Sequence, residues 1–254
     1  MERFDGRRVL ITGAGSGIGQ ATVHRVLAEG GRVVAADISE AGLKATAERA
    51  AADGHADRLS TAVLDIADEA AVCAGVAAAV ETLGGLDVLV NAAGILRASH
   101  THETTLDAFN RIIAVNLTGT FLMIREALPA LLEGRAPVVV NFSSTSAAFA
   151  HPYMAAYAAS KGGIQSMTHA IASEYAKQGL RAVCVAPGSV RSGMTADPGL
   201  PADADMSLFG KLLPAIGEGF APPETVAGVI AMLASEDGAF ITGTEIRIDG
   251  GTHM

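Results

Sequence analysis

Seven short apolar runs, at residues 8–12, 32–37, 58–65, 86–91, 137–143, 180–187 and 244–249, alternate with longer stretches of helical periodicity. Most of the runs are β-branched and bounded by glycine, asparagine or aspartate, which marks them as strands. The stretches between them, at about 17–29, 40–52, 69–83, 106–132, 155–178 and 223–234, read as helices. Repeated strand–helix alternation dictates a parallel sheet with helices on both faces. Right-handed crossovers then make the sheet doubly wound, with ligands at the carboxyl ends of the strands. The predicted fold is therefore α/β, a single domain over 1–254 built on a seven-stranded parallel sheet. No charged linker, repeat or low-complexity tract divides it.

Composition narrows the function classes. The net charge is −9 and no basic block occurs, which excludes a nucleic-acid footprint and leaves no nucleic-acid partner to expect. Cys73 and Cys184 both sit in apolar sequence surroundings, so buried free thiols are expected. The histidines, His100 and His102 included, show no metal-ligand spacing, and no metal is expected. Residues 1–6 lack signal-peptide character, and the alanine-rich run at 70–80 is too short to span a bilayer. The expectation is a cytoplasmic protein with no membrane partner.

The segment 193–223 breaks the rhythm. It holds most of the prolines together with Met194, Leu200, Met206, Leu208, Phe209, Leu212 and Leu213. Its length predicts a substrate lid, and its apolar content argues against simple disorder. A packed surface helix or subunit contact is the alternative.

The first strand runs into Thr12-Gly13-Ala14-Gly15-Ser16-Gly17-Ile18-Gly19, and a helix starts at once. Glycines there permit a tight turn and let backbone approach a pyrophosphate, while the helix N-terminus offers free amides. A ligand-free β–α turn would have the same outline. The second strand ends at Asp37, about 20 residues on, where a carboxylate accepts from ribose hydroxyls and repels a 2′-phosphate. No arginine follows Asp37, and Ser16 stands where a basic residue would meet that phosphate. NAD is therefore favoured over NADP, although a helix cap or turn would also use an aspartate at this point.

Tyr157 and Lys161, four residues apart on a predicted helix, share one face. A cation beside a phenol favours its ionised form, and a phenol so tuned exchanges a proton with an alcohol or carbonyl. Asn116 lies in the predicted 106–132 helix, where asparagine is a poor choice.

In order along the chain stand Thr12-Gly-x-x-x-Gly-x-Gly19, Asp65-Ile66, Asn91-Ala-Ala-Gly94, Asn116, Ser143-Ser144, Tyr157-x-x-x-Lys161, Pro187-Gly188 and Asp249-Gly-Gly251. With these landmarks the chain resembles the short-chain dehydrogenase/reductase family over nearly its whole length, in the compact branch that includes 3-oxoacyl-carrier-protein reductases. The resemblance implies a Rossmann-like fold and a role for each matching residue. Tyr157 is the general acid/base, and Lys161 lowers its pKa and binds the nicotinamide ribose. The serine thirteen residues before the tyrosine, Ser144, binds the reacting oxygen, with Ser143 and Ser146 as rivals. Asn116 holds a water that relays protons to the lysine. Cofactor contacts fall on Gly13, Ser16, Gly17, Ile18, Gly19, Asp37, Asp65 and Ile66. Asn91, Ala92, Gly94, Tyr157, Lys161, Pro187, Gly188, Val190 and Ser192 complete the set, with Asn91 partly a brace for the sheet.

The reaction so implied is hydride transfer between a secondary alcohol or ketone and nicotinamide. A small, mainly apolar substrate follows from Ile95, Leu96, Phe149, His151, Tyr153 and the lid, with Arg97 and Arg191 as candidate anion contacts. NADPH-dependent reduction of a carrier-bound 3-oxoacyl group and non-catalytic NAD binding are the alternatives. A nucleotide-sugar epimerase is disfavoured by the glycine spacing and the little chain left after the seventh strand. The resemblance also implies a homotetramer built on the long fourth and fifth helices.

Overall fold

All seven β-branched runs form strands in the computed structural model, which describes residues 2–217 and 219–254. They are β1 (Arg8–Thr12), β2 (Arg32–Asp37), β3 (Leu59–Val63), β4 (Val88–Asn91), β5 (Val138–Phe142), β6 (Arg181–Pro187) and β7 (Glu245–Ile248). Their order is β3-β2-β1-β4-β5-β6-β7 and every pairing is parallel. Side chains alternate faces, so Val9 and Ile11 enter one core layer and Leu10 the other. Both faces of the central strands are covered, which is why β4 and β5 are buried along their whole length.

Five predicted strands begin later than expected, two of them where a side chain is held by a distant partner. Arg58 closes a 3-10 turn (Ala56–Arg58), and its guanidinium donates to the Leu27 carbonyl at 2.6 Å. Before β4, the Asp87 carboxylate accepts from the Arg8 backbone at 2.9 Å and from its guanidinium at 2.7 Å. Arg58 belongs to the turn, whereas Asp87 keeps backbone bonds to both neighbours, its amide donating to the Arg8 carbonyl at 2.9 Å and its carbonyl accepting from the Val138 amide at 3.0 Å.

The helices are α1 (Gly17–Ala28), α2 (Glu40–Ala52), α3 (Glu69–Leu83), α4 (Leu106–Ile113), α5 (Gly119–Leu132), α6 (Ala155–Tyr175), α7 (Gly193–Ala196) and α8 (Pro223–Ala234). Ser39, Asp68 and Thr105 cap α2, α3 and α4 by accepting from backbone amides, satisfying groups the helix itself leaves open. The predicted 106–132 helix is interrupted by a π turn (Ala114–Thr118) that joins α4 to α5. By length and composition Leu106–Leu132 could cross a bilayer. In the fold it packs on α3, α6 and the central strands.

Cys184 is buried as expected, whereas Cys73 is exposed on the outer side of α3, against expectation. The alanines around it, Ala70 and Ala74, are also exposed, so an apolar neighbourhood in sequence did not mean a core position. The 193–223 segment is not a structureless loop. It holds α7, closed by a Ser192–Thr195 capping box, and a 3-10 turn (Met206–Leu212).

Candidate active site

Between β1 and β4 the connections diverge to opposite sides of the sheet, and a cleft opens there. The chain passes so tightly that side chains are excluded. A Cβ on Gly13 (φ +67°) would lie 2.7 Å from the Ala92 carbonyl carbon, and one on Gly19 would lie 2.1 Å from the Gly13 oxygen. Ser16, at the α1 N-cap, is extended and its hydroxyl makes no capping bond. The first amides of α1 are orphan donors by the geometry of any helix. A backbone cradle with free donors and a positive helix end fits a pyrophosphate. Asp37 is anchored beside it, its two oxygens accepting from the Gly15 amide at 2.9 Å and the Ser39 amide at 2.8 Å. The turn role weighed for Asp37 is thus real, and the carboxylate also faces the cleft.

The cleft measures about 320 Å³, within the range of small-ligand sites. Of the catalytic and cofactor-binding residues anticipated from sequence, all but Asn91 and Asn116 line it. Gly13, Ser16, Gly17, Ile18 and Gly19 form one wall, with Asp37, Asp65 and Ile66 around the far end. Ala92 and Gly94 pass beside them from β4. Pro187, Gly188, Val190 and Ser192 enter from the end of β6. Ser144, Tyr157 and Lys161 come from the end of β5 and from α6. Arg111 and Val115 also line the cleft and were missed. Their spacing from Asn116, five and one residues before it, was the available signal.

The two asparagines stand behind the wall. Asn91 donates to Asn141 Oδ1 at 2.9 Å, and Asn141 donates to Thr168 at 2.8 Å, tying β4, β5 and α6 together. Asn116 is fully buried in the π turn. Its Oδ1 accepts from the Ile95 amide at 2.8 Å, and its Nδ2 donates to the Ile95 carbonyl at 2.9 Å and to Ser160 Oγ at 3.0 Å. Both of its donors are used, so the side chain acts as a clamp on the β4–α4 loop. Replacing Asn116 by alanine strands these buried groups. We predict a loss of about 3 kcal/mol in urea denaturation, with reduced turnover because the loop beside Lys161 loses its anchor. Wild-type stability in that variant would contradict the clamp.

At the reacting end, Lys161 is buried and its Nζ donates to the Phe142 carbonyl at 2.8 Å. The ammonium lies 5.6 Å from the Tyr157 ring centroid. Burial brings the lysine down to about 8. Desolvation pushes the Tyr157 phenol up to about 12, with the Ser144 hydroxyl pulling it down by less. Desolvation dominates here, and the Lys161 ammonium is turned to the Phe142 carbonyl. Among the rival serines, Ser143 Oγ donates to the Lys161 carbonyl at 3.3 Å, and Ser146 Oγ is buried with no hydrogen-bond partner among the described residues. Ser144 lines the cleft and acts on the phenol.

The anticipated substrate residues do not converge. Ile95 and Met194 line the cleft. His151 is turned to Thr145 Oγ1 at 3.1 Å, and burial pushes it down to about 4, so it is neutral. Phe149 lies between His253, stacked at 4.1 Å, and the Arg247 guanidinium at 5.1 Å. Arg97 and Arg191 are exposed. Among the described residues, no group of three or more histidine, cysteine or acidic side chains is placed to hold a metal.

A family profile described as enoyl-(acyl carrier protein) reductase matches residues 13–253. The chain is 34% identical over 250 residues to 2-(S)-hydroxypropyl-CoM dehydrogenase 3 of Xanthobacter autotrophicus, covering 98% of this chain and 97% of that one. It is 41% identical over 208 residues to the inactive 2-(S)-hydroxypropyl-CoM dehydrogenase 2 of the same organism, covering 82% and 90%. Among solved structures, a short chain dehydrogenase from Mycobacterium paratuberculosis bound to NAD superposes with a TM-score of 0.89 at 28% identity, covering 98% of each chain. One from Burkholderia cenocepacia in complex with NADP gives 0.87 at 30%, covering 99% of this chain and 100% of that one.

Proposed function

The chain belongs to the short-chain dehydrogenase/reductase family of NAD(P)-dependent oxidoreductases, and from that premise we propose that it interconverts a secondary alcohol and its ketone using NAD(H). One observation carries this reading: Ser144, Tyr157 and Lys161 meet on the wall of the same cleft whose far end is the glycine cradle with Asp37. The glycine cradle and Asp37 would hold the dinucleotide, which would supply the hydride chemistry at the Tyr157 end of the cleft. Tyr157 takes the alcohol proton in oxidation and returns one to the carbonyl oxygen in reduction. Ser144 donates to the reacting oxygen and stabilises charge that develops on it. Lys161 keeps a positive charge next to that oxygen. Asp37, fixed by two amides, selects ribose hydroxyls over a 2′-phosphate.

Screening NAD and NADP reduction by absorbance against a panel of secondary alcohols and diols tests the proposal. We expect turnover with NAD at a kcat/KM at least about tenfold above NADP, a difference of ~1.4 kcal/mol. Cofactor binding without turnover of any alcohol or ketone would favour the binding-protein reading, which the inactive relative makes concrete.

The pH dependence follows from the shifted groups. Oxidation needs the phenolate, whose population grows about tenfold per pH unit below the phenol pKa. Lys161, down to about 8, loses its charge above that pH. The logarithm of kcat/KM for oxidation should climb to about pH 8 and flatten beyond. A flat profile between pH 6 and 8 would remove Tyr157 from the proton-transfer step.

We further propose a homotetramer. Leu106, Phe109 and Phe121 are exposed along α4 and α5, and Phe240 is fully exposed ahead of β7. Light scattering on the eluted protein tests the stoichiometry.

A further inference from the structure

Tyr153 has φ +64°, in the left-handed region where a bulky residue is an outlier. Such a conformation costs about 1–2 kcal/mol and persists only where its surroundings over-determine it. Glycine would relieve the strain, so the tyrosine side chain must do something glycine cannot.

Its contacts supply the answer. The Tyr153 hydroxyl accepts from the Asp205 amide at 2.8 Å. Its ring lies near-parallel to Phe209, with centroids 6.1 Å apart. Its carbonyl accepts from the Ser99 amide at 2.9 Å, and His100 meets the ring edge-on at 5.1 Å. His100 Nε2 in turn pairs with Asp203 Oδ1 at 3.0 Å, and the Ala98 amide donates to the Pro198 carbonyl at 2.8 Å. One residue thus joins three segments: the β4–α4 loop, the loop leading into α6, and the strap 197–209.

The chain leading into the strap lines the cleft on the β6 side with Gly193, Met194 and Thr195 and reaches the β4 side by Pro198, whose carbonyl accepts from the Ala98 amide. The strap ends against Ser99–His100 and Tyr153, beyond Ile95 on the β4 side. With its lead-in it therefore spans from one wall of the reacting end to the other. Tyr157 lies four residues after Tyr153, inside α6, which begins at Ala155.

We propose that Tyr153 is a positioning residue that fastens the strap across the substrate end of the cleft, so that its ring and hydroxyl govern how long substrate is retained. The proposal rests on the oxidoreductase reading for the identity of that substrate, and on the contacts alone for the fastening. Two variants of the full chain test it, Tyr153→Gly and Tyr153→Phe. For Tyr153→Gly we expect unchanged NADH affinity by fluorescence and kcat within about threefold of wild type. The KM for the alcohol should rise at least about tenfold, or ~1.4 kcal/mol. Thermolysin cleavage within 197–217, read by mass spectrometry, should accelerate to match. Tyr153→Phe keeps the ring and loses one hydrogen bond, so its KM should rise about fivefold. Wild-type KM and wild-type strap cleavage in Tyr153→Gly would overturn the proposal. So would cleavage spread over the whole chain in Tyr153→Gly while Tyr153→Phe behaves as wild type. If wild-type protein oxidises no alcohol, the oxidoreductase reading fails, and the proteolysis comparison still decides the role of Tyr153.

Discussion

Tyr157→Phe should lower kcat by about 10²–10⁴-fold, the usual contribution of a positioned acid/base, while NADH binds as to wild type. The substitution removes one oxygen and keeps the ring, so the cation 5.6 Å from the ring centroid stays in place. The cradle is remote in sequence and contributed by β1 and α1, and no hydrogen bond links the tyrosine hydroxyl to it among the described residues. The measurement is steady-state kinetics beside an NADH fluorescence titration. Retention of more than about a tenth of wild-type turnover would show that another group moves the proton. Loss of NADH affinity would instead show that the phenol is a cofactor contact first.

Gly19→Ala carries the second large effect, and it acts on the cradle. The new methyl would sit 2.1 Å from the Gly13 oxygen and 2.6 Å from its carbonyl carbon, which is backbone and cannot swing aside. The loop must open, and β1, α1 and the Ala92 crossing move with it. Overpacking of this kind costs about 3 kcal/mol or more. We expect a lowered urea midpoint and NADH affinity reduced beyond detection at millimolar concentration. A control, Gly193→Ala, places its methyl in open space and should behave as wild type in denaturation. Equal stability of the two variants would mean the cradle is far more compliant than its packing indicates.

These two sites were unequally legible in the sequence. The glycine loop could be read because close backbone approach excludes side chains outright, leaving a composition that little else produces. The strands were legible for a related reason: a sheet covered on both faces selects β-branched runs, as in Val138-Val139-Val140. Arg58 and Asp87 blurred the edges, since each is claimed by a partner distant in sequence. The Tyr157–Lys161 spacing gave a shared face but not the electrostatic balance. That balance depends on the Phe142 carbonyl, nineteen residues away. Phe149, His151 and Tyr153 were read as substrate contacts, but where they turn could not be read. Their directions are set by contacts with His253, Thr145 and Asp205, and no local periodicity encodes a loop that turns through a positive φ.

The π turn at Ala114–Thr118 has a consequence for how this chain tolerates change in length. Each residue of an α-helix advances the side-chain direction by about 100°, and the wide turn shifts the phase between α4 and α5. Arg111 upstream and Val115 within the turn line the cleft, while downstream Leu122, Met123 and Ile124 are buried. Deleting any one residue between 114 and 118 would restore a regular helix and rotate one half relative to the other. The deletion would preserve helicity and composition, yet either the cleft wall or the inner apolar stripe would face the wrong way.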